Sequence, residues 1–142
     1  MLKLEDNSNI PINLGIVGSR TYTDKDLMFA WLDRIHIELG PFDRIVTGDS
    51  NGPDLLAKQW GNINGIDIKV CYADWTRKGN QASYLRNINI IENSDFIIAF
   101  WDGDSKGTAH AIRITRTLNK PLLVISKSGN NYELLSTIKL KD

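Results

Sequence analysis

Short apolar runs, each separated from the next by a stretch of helical periodicity, constrain this chain more than any other feature. They fall at residues 13–17 (NLGIV), 43–47 (DRIVT), 67–72 (DIKVCY), 95–100 (DFIIAF) and 121–125 (PLLVI). Strands that alternate with helices cannot be joined by tight hairpins. Each reaches the next by a crossover, which makes the sheet parallel and puts helices on both of its faces. The run at 95–100 is the most apolar, which places it centrally.

The helices between the strands read at residues 24–39, 53–64, 81–92 and 108–118. In the first, Thr23 or Asp24 is the expected cap, and Leu27, Ala30, Trp31, Ile35 and Leu39 form the inward face. Gly40 and Pro41 stop it. Pro53 suits the first turn of the second helix, with Leu55, Leu56, Ala57 and Trp60 inward. Ala82, Leu85, Ile88 and Ile91 are the expected inward face of the third. Residues 73–79 form a polar segment too long for a minimal connection, and the tail from Ser128 has room for one more short strand or helix. The expectation is one Rossmann-like α/β domain over residues 1–142, with a core of about 13–126 and a C-terminal tail at 127–142. Its sheet should be mainly parallel, with about five or more strands.

Composition narrows the function. Lys plus Arg number 17, as do Asp plus Glu, so the formal net charge is zero, which argues against a non-specific grip on long nucleic acid. Cys71 is the one cysteine; it lies in an apolar run and reads as a core residue. No run approaches the roughly 20 apolar residues of a membrane span, and residues 1–9 are polar with no signal-peptide core. A cytoplasmic protein is expected, with no membrane partner.

In open parallel sheets, ligands bind beyond the carboxyl ends of the strands. The informative residues fall there: Gly18-Ser19-Arg20 after the first strand, Gly48 to Asp54 (GDSNGPD) after the second, and Asp102 to Thr108 (DGDSKGT) after the fourth. Glycine lets backbone approach an anion, and helix N-termini offer unpaired N–H groups and a favourable dipole. Each loop also has a plainer reading: Asp54 as a first-turn helix residue, Asp102 as a turn cap. Their joint occurrence at one sheet edge carries the site. None matches a GxGxxG or Walker motif. Arg86, beside Asn87, is either a solvated helix residue or a bidentate phosphate ligand reaching over the edge. Trp75 either stacks on a base or plugs the fold. His36, His110 and Cys71 have no metal-ligand spacing, so neither a metal nor a cofactor is expected.

The ordered set GSR (18–20), IVTGDSNGPDLLAKQW (45–60), ADW (73–75), LRN (85–87), SDFIIAFWDGDSKGT (94–108) and KPLLVI (120–125) resembles the YspA-like branch of the SLOG superfamily. That group includes the LOG cytokinin-activating enzymes and the DNA-processing protein DprA. The resemblance covers residues 14–125 and implies a Rossmann-like fold, a nucleotide-derived ligand and a homodimer or higher homo-oligomer. It carries Gly18, Ser19, Arg20, Gly48, Gly52, Asp54, Arg86, Asn87, Asp102, Gly103, Ser105, Gly107 and Thr108 into the pocket. Where the family's second loop usually reads like GGARGVD, this chain has GDSNGPD. Asp49 therefore brings a negative charge beside the expected anion and favours a ribose hydroxyl there. LOG enzymes carry a catalytic glutamate at the position of Ala111.

The leading expectation is a binding protein for an ADP-ribose or NAD-derived molecule or a cyclic nucleotide. A bare small domain of this kind in a phage would be a sponge for an immune messenger. The alternative is a hydrolase of an N-glycosidic or phosphodiester bond, for which Asp54, Asp102, Asp104 and His110 are the acid/base candidates. A DprA-like nucleic-acid binder is disfavoured by the balanced charge.

Overall fold

The computed structural model describes residues 12–128 and 131–134. The polar N-terminal reading falls on residues 1–11, and most of the tail reading on residues 129–130 and 135–142, outside the described residues. The elements are β1 (Asn13–Gly18), α1 (Lys25–Leu39), β2 (Arg44–Thr47), α2 (Pro53–Ile63), β3 (Asp67–Val70), α3 (Trp75–Lys78), α4 (Ala82–Glu92), β4 (Phe96–Phe100), α5 (Lys106–Thr117), β5 (Leu122–Ile125) and β6 (Asn131–Leu134). A 3₁₀ turn, Gly79–Gln81, joins α3 to α4.

The strand order is β3-β2-β1-β4-β5-β6. The first five strands are parallel and β6 returns antiparallel on β5. This is an α/β Rossmann-like fold. Order reverses between β1 and β4, so the loops leaving these two strands part in opposite directions and open a crevice at their carboxyl ends.

Alternation along each strand divides the core in two. Leu14, Ile16, Ile45, Phe96, Ile98, Phe100, Leu123 and Ile125 pack toward α1 and α2, joining Trp31, Leu32, Ile35, Ala57 and Trp60. Val17, Val46, Ile97, Ala99, Leu122 and Val124 pack the other way, onto Ile90 and Ile91 of α4 and Ala111 and Ile112 of α5. Every residue of β4 is buried, as its composition predicted. Trp60 Nε1 donates to Asp33 Oδ1 at 2.8 Å, so this large buried ring keeps a partner for its one polar atom.

The helix faces differ in detail from the apolar pattern. Asp24 is the cap of α1, its carboxylate accepting from Leu27 N at 3.1 Å. The buried stripe of α1 is Met28, Trp31, Leu32, Ile35 and Leu39, and Ala30 is exposed. Leu55 and Leu85 also face solvent. On α4 the reason is clear: Arg86 and Asn87 take part in the buried stripe with Ala82, Ile90 and Ile91, so a search for apolar spacing alone misphases the helix. The polar segment 73–79 is not a loop throughout, because Asp74 accepts from Arg77 N at 3.2 Å and caps the short helix α3. α5 begins at Lys106, two residues before the expected start, which moves Gly107 from a loop into the first helical turn.

Candidate functional site

Residues from three connections and two helix starts line one cleft of about 340 Å³ at the carboxyl edge of the sheet. Gly18, Arg20 and Thr21 come from the end of β1, Ser50 from the β2–α2 loop, and Ser83, Tyr84 and Arg86 from α4. Asp102 and Ser105 come from the loop after β4, and Gly107 and Thr108 from the first turn of α5. Of the sequence candidates, Gly18, Arg20, Arg86, Asp102, Ser105, Gly107 and Thr108 thus lie on the wall itself.

The remaining candidates stand behind the wall or away from it. Ser19 is buried and ties two loops together: its Oγ lies 3.2 Å from Thr108 Oγ1 and accepts from Asp102 N at 3.1 Å. Asp54 is also buried, beneath the β2–α2 loop. Its Oδ2 accepts from Ser50 Oγ at 2.7 Å and from Ser50 N at 3.2 Å. Thr47 Oγ1 shares its one proton between Ile16 O at 2.9 Å and Asp54 Oδ1 at 3.2 Å. Burial pushes the Asp54 carboxyl above its ordinary value, against the pull of Ser50, Arg86 and Thr47.

Gly48 is where the loop allows close packing. A Cβ there would lie 2.5 Å from Asp54 Oδ2 and 3.0 Å from Arg86 Cδ and Nε, so only glycine lets the two side chains pass. Gly52 caps α2 with φ +78°, and a Cβ on it would press on Arg20 O at 3.0 Å. Arg86 Nη1 donates to Asp49 Oδ1 at 2.9 Å, and Arg86 Nε reaches Asn87 Oδ1 at 3.4 Å. The pair is unevenly sunk, the Arg86 side chain being 8% exposed and that of Asp49 26%.

The loop after β4 is organised by Asp102. Its Oδ1 accepts from Asp104 N and Ser105 N, both at 2.8 Å, and its Oδ2 from Thr21 Oγ1 at 2.6 Å. Burial opposes the charge, yet the bonds from Thr21, Ser105 and Asp104 outweigh it and hold the carboxyl well below the usual carboxylate range. Ser105 caps α5, its Oγ accepting from Thr108 N at 3.3 Å, while Ser105 O accepts from Ala109 N at 3.1 Å. The amides that helix geometry leaves over are those of Lys106 and Gly107, at the positive end of a 12-residue helix. Arg20 pairs with no carboxylate among the described residues.

Trp75 heads α3, half exposed and outside the cleft lining, and Gly103 is an exposed turn residue with φ +90°. His110 is not on the wall. Its ring packs edge-on against Tyr84 with centroids 4.8 Å apart, and its Nδ1 is buried without a partner. Burial and Arg113 lower its pKa, which favours the neutral ring. No group of three His, Cys, Asp or Glu side chains suited to a metal occurs among the described residues. No helix among them is long and apolar enough to cross a membrane.

Sequence reasoning missed Thr21, Ser50, Ser83 and Tyr84. Thr21 and Ser50 sit inside or next to the flagged glycine loops. Ser83 and Tyr84 open α4 at the same sheet edge, a position that could have pointed to them.

Comparison with known proteins assigns the chain to a family. By sequence, residues 15–78 match the YspA, cpYpsA-related SLOG family. The Gene 61 protein of Mycobacterium phage D29 is 30% identical over 116 residues, which cover 76% of this chain and 91% of that protein. Among solved structures, DNA processing protein A (DprA) from Streptococcus pneumoniae superposes with a TM-score of 0.65 at 16% identity. That match takes in 80% of this chain but only 50% of the DprA chain, and it speaks for the fold alone. A chain with these matches over this sheet order belongs to the YspA, cpYpsA-related SLOG family.

Proposed function

We propose that this protein binds a nucleotide-derived small molecule through its phosphate and releases it unchanged. The observation that carries this reading is the convergence of Arg20, Arg86 and the N-terminus of α5 on one cleft at the switch point of the sheet. A helix N-terminus with unpaired amides and a nearby guanidinium is an anion site in charge and in geometry. The cleft has the size of a small-molecule pocket and is rich in hydroxyls, with Thr21, Ser50, Ser83, Ser105 and Thr108 able to meet a sugar. An ADP-ribose or NAD-derived molecule, or a cyclic nucleotide, fits that chemistry. Family membership supports a nucleotide ligand, and the mycobacteriophage relative supports a viral setting, in which the protein would sequester an immune messenger in the host cytoplasm.

Binding rather than turnover is favoured by the state of the candidate acids and bases. Asp102 has its carboxylate engaged by three donors and is held ionised, so it has no proton to give. Asp54 is spent on its own loop. Ala111, where LOG enzymes carry a glutamate, is buried and offers no carboxylate.

The test is incubation of purified protein with ADP-ribose derivatives and with cyclic dinucleotides, with and without magnesium, followed by heat denaturation and chromatography. Intact ligand is expected back. Product that accumulates over many turnovers, and disappears in Asp102→Ala or His110→Ala, would make this a hydrolase.

A further inference from the structure

The two arginines of the cleft are not equivalent, and the difference bears on which molecule it holds; the point rests on the nucleotide reading above. Among the described residues Arg20 faces no carboxylate partner, and it shares the cleft wall with Gly107 in the first turn of α5. Asp102 lines this wall too, but both of its oxygens are turned into the loop by Thr21, Asp104 and Ser105. Arg86 already holds Asp49 at 2.9 Å and packs beside Asp54 behind Gly48.

We infer that Asp49 is a resident counterion that makes the cleft one-ended. The phosphate goes to Arg20, the cation that carries no counterion, and to the first turn of α5, and the uncharged, hydroxyl-bearing part of the ligand goes to the Arg86–Asp49 pair. At contact distance, and with the guanidinium itself largely sheltered from water, Asp49 answers its charge with less screening than a surface pair would have. A second anion at Arg86 must displace Asp49 or settle beside it, and it forfeits in repulsion what it gains in attraction. A sugar hydroxyl loses nothing there: it accepts from Arg86 or Ser50 on the wall and donates to Asp49, which stands just off the wall on the Arg86 guanidinium. The ligand class is therefore a phosphate ester of a sugar, with its diol turned toward the β2–α2 loop.

Calorimetric titration of inorganic phosphate, AMP and 2′,3′-dideoxy-AMP into wild type, Arg20→Gln, Arg86→Gln, Asp49→Asn and the Asp49→Asn/Arg86→Gln double variant tests this. Arg20→Gln should weaken inorganic phosphate by about tenfold or more, and Arg86→Gln by several-fold less. Asp49→Asn should tighten inorganic phosphate by about tenfold, a gain that vanishes in the double variant. The wild type should prefer AMP to its dideoxy analogue, and Asp49→Asn should lose that preference. Melting curves confirm folding, with Asp49→Ser as a second variant at this loop position. The inference is overturned if AMP binds but Asp49→Asn leaves phosphate affinity unchanged, or if Arg86→Gln costs as much as Arg20→Gln. If neither phosphate nor AMP binds any of these proteins, the nucleotide reading falls and this inference falls with it.

Discussion

The loop after β2 and the loop after β4 look alike in sequence, each a run of glycine, aspartate and serine leading into a helix, yet the structure uses them differently. In the first, Asp54 is buried and gathers Ser50 and Thr47 around itself, while Asp49 occupies Arg86. In the second, Asp102 folds the loop from the surface and leaves the first amides of α5 open at the cleft that Arg20 also lines. The first loop is built inward, around its own charges, and the second outward, toward the cleft. Similar composition thus conceals opposite electrostatic duties, decided by which carboxylate meets a cation within the protein.

The sharpest way to break this contrast is at Arg20. Arg20→Ala removes the cation that has no carboxylate partner among the described residues and should weaken AMP binding ten- to a hundredfold, about 1.5–3 kcal/mol, with little change in melting temperature. A comparable loss of stability instead would make Arg20 part of the fold.

Asp54→Ala should do the reverse. It strands Ser50 and Thr47 and should cost about 1–3 kcal/mol of stability, read by urea denaturation. An unchanged midpoint would mean the first loop is not organised from within.

Next comes glycine. Gly52→Ala combines positive φ with a close approach to Arg20 O and should destabilise by roughly 1–2 kcal/mol. Gly103→Ala, with positive φ but open space around it, should cost less, at the lower end of that strain, about 1 kcal/mol. Gly107→Ala has neither problem. It should leave the melting temperature level or slightly raised while still weakening AMP, because a methyl group then stands at the mouth of the helix.

The smallest effect is in titration. Carbon NMR of the carboxyls should show Asp54 protonating above pH 3.8 as acid is added, and Asp102 only well below it. The signs are opposite. The depressed Asp102 value contributes stability present above pH 3.8 and lost as pH falls through its folded pKa. The raised Asp54 value contributes stability present below pH 3.8 and lost as pH rises through its own folded pKa. Titration in the reverse order would erase the distinction between the loops.

The parallel sheet and its central strand were legible from the sequence because strand burial follows from uninterrupted apolar runs such as FIIAF. The cleft was legible in outline because a strand end and a helix start, each with a glycine, meet there at Gly18 and Gly107. What stayed hidden depends on distance through space. That Asp49 meets Arg86, 37 residues away, is set by the rotation of α4, and that rotation was misjudged because Arg86 and Asn87 share its buried stripe. Ser83 and Tyr84 were missed for the same reason. The Asp74 cap that turns residues 75–78 into a helix is a local signal and was available.

The adjacency of β1 and β4 has a consequence for how the protein acquires its cleft. Asn13 meets Asp95 across 82 residues of chain, and Ser19 meets Thr108 across 89. Contacts that close such long loops are slow to form. The cleft thus exists only when the centre of the sheet has closed, and a molecule seated in it would bridge both sides of that seam. Occupancy should then register as slower unfolding of the whole sheet, so that the rate at which the protein comes apart becomes a measure of whether it is holding its ligand.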